Sequence, residues 1–418
     1  MEQSVVLERP EDLRRKPTIA LCLLVKNGES VVGRLVESLC PYIDEVVAVV
    51  NDTTDGTVGL LTRLMSAHNL RGEIVEVTAE THPQLYILDA ADTYRAGHSF
   101  AEEMYESVGV FTGRPLLADW AAARNLGWDR CRSDWRLHLD ADDVLEDPEC
   151  LPGLCAALEA RGVDLAASRY KYGLGTAGAA RGASARSEGA RERLARNVPY
   201  IRWEGCVHEV LRGASRRALV EGNLVVRDMR DSTGQGIRIP DRNFKVLYHH
   251  ARASGWQVPP RDFLYMANEI RYTMPDFATH LLDFYLLKSR WAEERAWACC
   301  IRGEIDESTQ DYDLASKWYE KALREFSSSK AAYRLCRSRF HENKWQEAVD
   351  AYHLGVSCEK TVQQLDDGEV FADASKILVA ACLRKLGRRD EAVAMCEDAL
   401  RAFPGSPGIL SMLAGLRG

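Results

Sequence analysis

The hydrophobic pattern of this chain changes period once, near residue 256, and no other feature constrains the fold as strongly. Before that point, apolar runs that read as buried strands alternate with amphipathic helices. TIALCLLV (18–25) is a strand, VVGRLVESL from Val31 a helix, EVVAVV (45–50) the next strand and EIVEVT (73–78) a third. This alternation predicts a parallel α/β sheet whose ligands gather at the carboxyl ends of the strands. Lys26–Ser30 and Asn51–Gly56 then share one rim. Residues 80–115 read as an insertion, with Ser99 and Glu102 at capping-box spacing ahead of helical Phe100, Met104 and Val108. After residue 256 strand patterns vanish and only helical periodicity remains.

That second half repeats itself. DFATHLLDFYLL, DLASKWYEKAL, QEAVDAYHLGV and DEAVAMCEDAL are headed by Ala278, Ala315, Ala348 and Ala392, at separations of 37, 33 and 44 residues. The first two are close to the 34-residue period of tetratricopeptide repeats. The third is such a period with an insertion at TVQQLDDGEV (361–370), and Phe403-Pro404 closes the last unit. The expected organisation is a tail over 1–16, an α/β domain over 17–255 and an all-α helical-repeat domain over 256–418.

Charge narrows the function. Lys and Arg number 54 against 62 Asp and Glu, a net −8, which disfavours a globally basic nucleic-acid binder. Between Arg169 and Arg230, however, 13 basic residues face six acidic ones. Within that stretch, residues 173–197 are small, basic and poor in bulky apolar side chains, so they read as a mobile loop able to close over a ligand. No apolar run approaches the roughly 20 residues of a membrane helix, and the first residues lack a secretory signal's apolar core, so the expected compartment is the cytoplasm. Twelve cysteines without a CxxC pair read as buried thiols.

The segment most informative about chemistry is LHLDADD, residues 137–143. A strand ending in Asp140-Ala141-Asp142 puts two carboxylates on one side of the chain, and a hard divalent cation such as Mg²⁺ or Mn²⁺ between them would relieve their repulsion. The alternative is an acidic turn. Asp52 and Asp55 end the second strand, where a carboxylate accepts hydrogen bonds from a nucleobase or ribose, or where it forms an Asx turn and helix cap. Arg124 lies in the small-residue helix of DWAAARNLGW, and Trp203, His208 and Glu209 follow the basic stretch.

In this order, VKNGES, VVNDTTDGT, DWAAARN, LDADD and WEGCVHE resemble the family 2 glycosyltransferases of the GT-A fold, over roughly residues 17–250. The chain is most similar to the subgroup with tetratricopeptide repeats after the transferase domain, which includes peptide S-glycosyltransferases of the sublancin type. The resemblance implies a GT-A, Rossmann-like nucleotide-sugar domain. Lys26 and Asp52, with Asn51 as competitor, would bind the donor, and Arg124 would face its diphosphate. Asp140 would touch ribose or metal, Asp142 would ligate the cation, and His208 would complete the metal shell or bound the acceptor pocket. Glu209 is the candidate general base, with a surface His-Glu pair as its alternative and Asp228, Asp231 and Asp241 as substitutes. Two departures stand out: Gly28 separates Lys26-Asn27 from Glu29, and VVNDTTDGT is one residue shorter than the usual form.

The expected activity is a metal-dependent, inverting transfer of a sugar from a nucleoside-diphosphate sugar, UDP-sugar foremost, to a protein or peptide. A modified DNA base is the second acceptor class, because of the arginine-rich stretch. A non-catalytic scaffold with a degenerate transferase half is the rival reading. The repeats would present the acceptor or form a homodimer.

Overall fold

The computed structural model describes residues 3–5, 16–90, 112–172, 187–220, 225–228, 241–358 and 373–417. They form two compact units that divide between His250 and Ala251. The helix expected near Ser99–Val108, residues 173–186 of the basic stretch, Asp231 and the insertion at 361–370 lie outside the described residues.

In chain order the first unit contains β1 (Gln3–Val5), β2 (Ile19–Val25), α1 (Val32–Leu39), β3 (Glu45–Asn51), α2 (Thr57–Ala67) and β4 (Arg71–Val77). Next come β5 (Tyr86–Leu88), β6 (Pro115–Leu117), α3 (Trp120–Trp128), β7 (Trp135–His138), β8 (Asp143–Leu145) and α4 (Leu151–Ala160). β9 (Leu165–Tyr172), β10 (Ser187–Arg196), β11 (Arg202–Glu204), β12 (Val210–Arg212), β13 (Arg217–Val220), β14 (Val225–Asp228) and α5 (Arg242–Ala253) complete it. α5 runs across the division between the units.

The main sheet has the order β1-β13-β9-β10-β7-β2-β3-β4, with β14 pairing β8 and β9. β7, β2, β3 and β4 run parallel, so their carboxyl ends open on one rim. Every residue of β2 and β3 is buried, as expected of central strands covered on both faces. α1 covers them with Val32, Leu35, Val36 and Leu39, the i, i+3, i+4, i+7 stripe of an amphipathic helix. α3 starts where Asp119 accepts a hydrogen bond from the Ala122 N–H at 2.8 Å. Its small-residue face presses on β3: a Cβ added at Gly127 would stand 3.0 Å from Val49 Cγ2. That close approach brings Arg124 of the same helix to the rim.

Two expectations are corrected. The loop over 173–197 is not a loop throughout, because Ser187–Arg196 is strand β10, antiparallel to both β7 and β9. Leu194 and Ala195 are fully buried there, and Arg193 is buried with acidic partners, so an arginine stands where a bulky apolar side chain would mark a core strand. The segment 1–16 is not only a tail, since β1 pairs in parallel with β13.

The second unit is a run of helices: α6 (Pro260–Ile270), α7 (Pro275–Lys288), α8 (Ala292–Ser308), α9 (Tyr312–Glu325), α10 (Ser329–His341), α11 (Trp345–Ser357), α12 (Asp373–Lys385), α13 (Arg389–Ala402) and α14 (Pro407–Arg417). The repeated segments are α7, α9, α11 and α13, and their heading alanines 278, 315, 348 and 392 are each fully buried. Gly303 of α8 shows why small residues recur: a Cβ there would stand 2.5 Å from the Tyr319 ring of α9. All twelve cysteines are free thiols, nine of them buried. No helix among the described residues is long and apolar enough to cross a membrane.

Candidate functional site

The loops after β2 and β3 are tied into one rim. The Asn27 side-chain oxygen accepts from the Thr54 N–H at 2.8 Å, the Gly28 N–H donates to Thr57 Oγ1 at 2.8 Å, and the Gly56 N–H donates to Glu29 Oε2 at 2.8 Å. Gly28 is buried, and a Cβ there would meet Val25 Cγ2 at 2.4 Å, so the residue separating Asn27 from Glu29 is needed for the loop to close. Asn51 is buried in the β3–β4 ladder opposite Val77. Asp52 sits half-buried at the rim with φ +42°, its carboxylate 3.8 Å from Lys26 Nζ. The structure thus separates these neighbours, Asn51 inside the ladder and Asp52 outside it. Tyr86 of β5 closes this corner, its hydroxyl donating to the Val77 carbonyl at 3.0 Å. Burial and the neighbouring Asp52 raise that phenol far above its ordinary value.

At the end of β7 the chain turns through Asp140–Asp143. The Asp143 N–H donates to the Asp140 carbonyl at 3.0 Å, and the Asp140 N–H donates to Asp143 Oδ2 at 2.9 Å. Tyr170 OH reaches Asp143 Oδ1 at 2.7 Å. Burial pushes the Asp143 carboxyl up to about 6, against the opposing pull of Arg193. Arg34 of α1 donates to the Asp142 carbonyl at 3.3 Å, and Asp142 itself is half-buried.

Arg124 joins this turn to the β11–β12 hairpin. Its Nε donates to Glu209 Oε1 at 2.5 Å, its Nη2 to Asp140 Oδ1 at 3.3 Å, and its Nη1 to His138 Nδ1 at 3.3 Å. Trp203 lies under the guanidinium, 5.2 Å from its carbon, and meets His138 edge-on at 4.8 Å. Asn125 fixes the hairpin by accepting from the Trp203 N–H at 3.1 Å and donating to the Trp203 carbonyl at 2.9 Å. Burial, followed by the charges of Arg124 and Arg193, holds the His138 imidazole well below its ordinary value, so it is neutral at pH 7 and accepts at Nδ1.

The structure brings together Arg124, Asp140 and Glu209, and adds His138, Asp143, Tyr170 and Arg193. The last four were not singled out from sequence. Asp143 was visible only as a third carboxylate in LDADD, and Arg193 was hidden by the loop reading of its segment. His208 is exposed at φ +55° in the hairpin loop. Asp241 immediately precedes α5, its carbonyl accepting from the Lys245 N–H at 2.9 Å, and Asp228 lies in β14 opposite Asp143.

Asp140, Asp142 and His208 do not fit a shared metal shell in this arrangement. Asp140 Oδ1 faces Arg124 at 3.3 Å and Oδ2 faces Arg193 at 3.5 Å. Among the described residues no group of three His, Cys, Asp or Glu side chains is placed to hold a metal ion.

Residues 98–217 match the model of glycosyl transferase family 2. No curated protein sequence matches the chain. Solved structures similar to part of it include MamA, at 17% identity over 40% of this chain and 90% of that one, with a TM-score of 0.33. Pseudomonas aeruginosa PilF matches at 15% identity over 42% and 75%, with a TM-score of 0.35. YrrB, a TPR protein, matches at 16% identity over 41% and 81%, with a TM-score of 0.33. Arg124, Asp140, Arg193 and Glu209 therefore all lie within the segment, residues 98–217, that matches the family 2 glycosyl transferase model, ahead of the helical unit.

Proposed function

We propose that the chain transfers a sugar from a nucleoside-diphosphate sugar, UDP-sugar foremost, to a side chain of a protein or peptide, with inversion at the anomeric carbon. One observation carries this reading: Arg124 links a carboxylate at the mouth of a central strand, Asp140, to a second carboxylate on the facing hairpin, Glu209. Transfer needs those two places, one beside the donor and one beside the acceptor.

Asp52 and Lys26 receive the nucleoside, with the Asp52 carboxylate accepting from the base imide or the ribose. Asp142, next to the arginine-held Asp140, is assigned to a Mn²⁺ or Mg²⁺ ion carried by the diphosphate, since hard oxygen donors suit either ion. Glu209 is the base. Arg124 holds its Oε1, which orients the carboxylate and leaves Oε2 to take the acceptor's proton. As the acceptor heteroatom bonds to the anomeric carbon, the bond from that carbon to the diphosphate oxygen breaks. Its electron pair leaves with the nucleoside diphosphate, and the proton goes to Glu209.

A protein acceptor is favoured over DNA by how the basic stretch is spent. Arg193, Arg196, Arg202 and Arg217 are ion-paired within the first unit, with Asp140 and Asp143, Glu159, Asp129 and Glu192 respectively. An arginine already met by a carboxylate adds less to the net positive charge that phosphate binding needs. Mass spectrometry of candidate peptides and of a DNA digest after incubation with sugar nucleotides tests the proposal. A hexose-sized mass gain on peptide supports it, and a gain confined to DNA bases reassigns the acceptor.

A further inference from the structure

The aspartates of LDADD occupy different surroundings, and the difference sits on Asp140. Its two oxygens are divided between guanidinia from different elements: Oδ1 toward Arg124 of α3 at 3.3 Å, Oδ2 toward Arg193 of β10 at 3.5 Å. Arg193 cannot easily leave. It is 5% exposed, stacks 4.7 Å from the centre of the Tyr170 ring, and reaches Asp143 Oδ2 at 3.3 Å, while Asp143 is fully buried and bonded to Tyr170. A cation on either oxygen of Asp140 would stand beside a guanidinium fixed by buried partners, and like charges so placed repel.

We infer that Asp140 is a positioning residue held between two arginines, and that Arg193 is the lock: together they fix Arg124, and through it Glu209, without Asp140 acting as a cation ligand. A carboxylate at the mouth of a strand then serves to aim an arginine. The inference builds on the transferase reading for what Arg124 and Glu209 do. Its test, however, reads ion uptake and not transfer, so the two can fail separately.

The test is titration of the full chain with Mn²⁺ alone, followed by the loss of the free-ion electron paramagnetic resonance signal. Four proteins are compared: wild type, Asp140→Asn, Arg193→Gln and Arg193→Lys. The inference expects Asp140→Asn to bind Mn²⁺ as the wild type does. Arg193→Gln, which frees one oxygen of Asp140, should bind about tenfold more tightly or acquire binding, on the scale by which supporting residues change metal affinity. Arg193→Lys restores the charge and should return to wild-type behaviour, which a merely structural role for Arg193 would not produce. A loss in Asp140→Asn beyond the about 100-fold that removing an outer-shell partner can cost overturns the inference. Where the wild type takes up no Mn²⁺, uptake by Arg193→Gln supports it and lack of uptake overturns it. Should Arg193→Gln fail to fold, Asp140→Asn decides alone, because that side chain is 34% exposed and its neutralisation strands no buried acid.

Discussion

Both units of this molecule contain arginine–carboxylate pairs, half-buried in the helical unit and more deeply buried in the sheet unit, but they use them differently. In the helical unit the pairs tie separate helices together: Arg295 of α8 grips Glu325 of the next helix, α9, through two bonds of 2.7 and 2.8 Å, and Arg337 of α10 reaches past α9 to Glu307 of α8 at 2.6 and 2.8 Å. One pair joins consecutive helices and the other bridges two helices with a third between them in sequence. In the sheet unit, Arg124 and Arg193 converge on one strand end, where Asp140, Asp143 and Glu209 meet. The first pattern serves register and the second concentrates charge at a single rim. A substitution in a helical pair should therefore appear as lost stability, and one at the rim as lost activity.

The largest departure is expected at Glu209. Glu209→Gln keeps the shape and one hydrogen bond to Arg124 but cannot accept a proton, so transfer should fall by about 10²- to 10⁴-fold while the unfolding midpoint stays near wild type. Donor hydrolysis and transfer rates, read beside a denaturation curve, check it; near-normal transfer would reassign the base. Lys245 and Asp89 sharpen the contrast from within the sheet unit, because they form a wholly buried pair at 2.9 Å that shares no residue with the Arg124–Asp140–Glu209 cluster. Lys245→Met leaves the buried Asp89 charge with only its hydrogen bonds from Thr112 and should cost about 3–5 kcal/mol in urea unfolding, with the turnover of the folded fraction unchanged.

Gly303→Ala probes the helical unit by packing alone. Its new methyl would collide with the Tyr319 ring, which predicts a loss of about 1–3 kcal/mol and no change in donor binding. The smallest effect is electrostatic. Hydrogen bonding to Arg295 holds the Glu325 carboxyl below its ordinary value, so its contribution to stability is present above the unfolded carboxyl's pKa and is lost as pH falls through the lower, folded one. Urea midpoints of wild type and Glu325→Gln should differ at pH 7 and converge at acid pH. A constant gap would show that the pair contributes nothing through charge.

The sequence shows its fold where burial is apolar and hides it where burial is ionic. β2, β3 and α1 were legible because their periods are clean and their buried residues are mostly Val, Leu and Ile. The repeated helices were legible because an alanine heads each of them at separations of 37, 33 and 44 residues, two of which lie close to one repeat period. β10 was not: SEGARERLAR buries Arg193 beside Leu194, and composition alone reads an arginine as a solvated residue. The site divided in the same way. Arg124, Asp140 and Glu209 were recognisable by motif, but the commitment of Arg124 to both carboxylates arises from α3 lying close against β3, which no local pattern encodes.

The central claim is that this rim transfers a sugar from a nucleoside-diphosphate donor. Its most direct test is to incubate the full chain with a set of sugar nucleotides and an acceptor peptide library, and to identify the nucleotide released. The account predicts nucleoside diphosphate from the wild type and a loss of about 10²-fold or more of that release in Glu209→Gln. Pyrophosphate as the product, or equal release by both proteins, would contradict it.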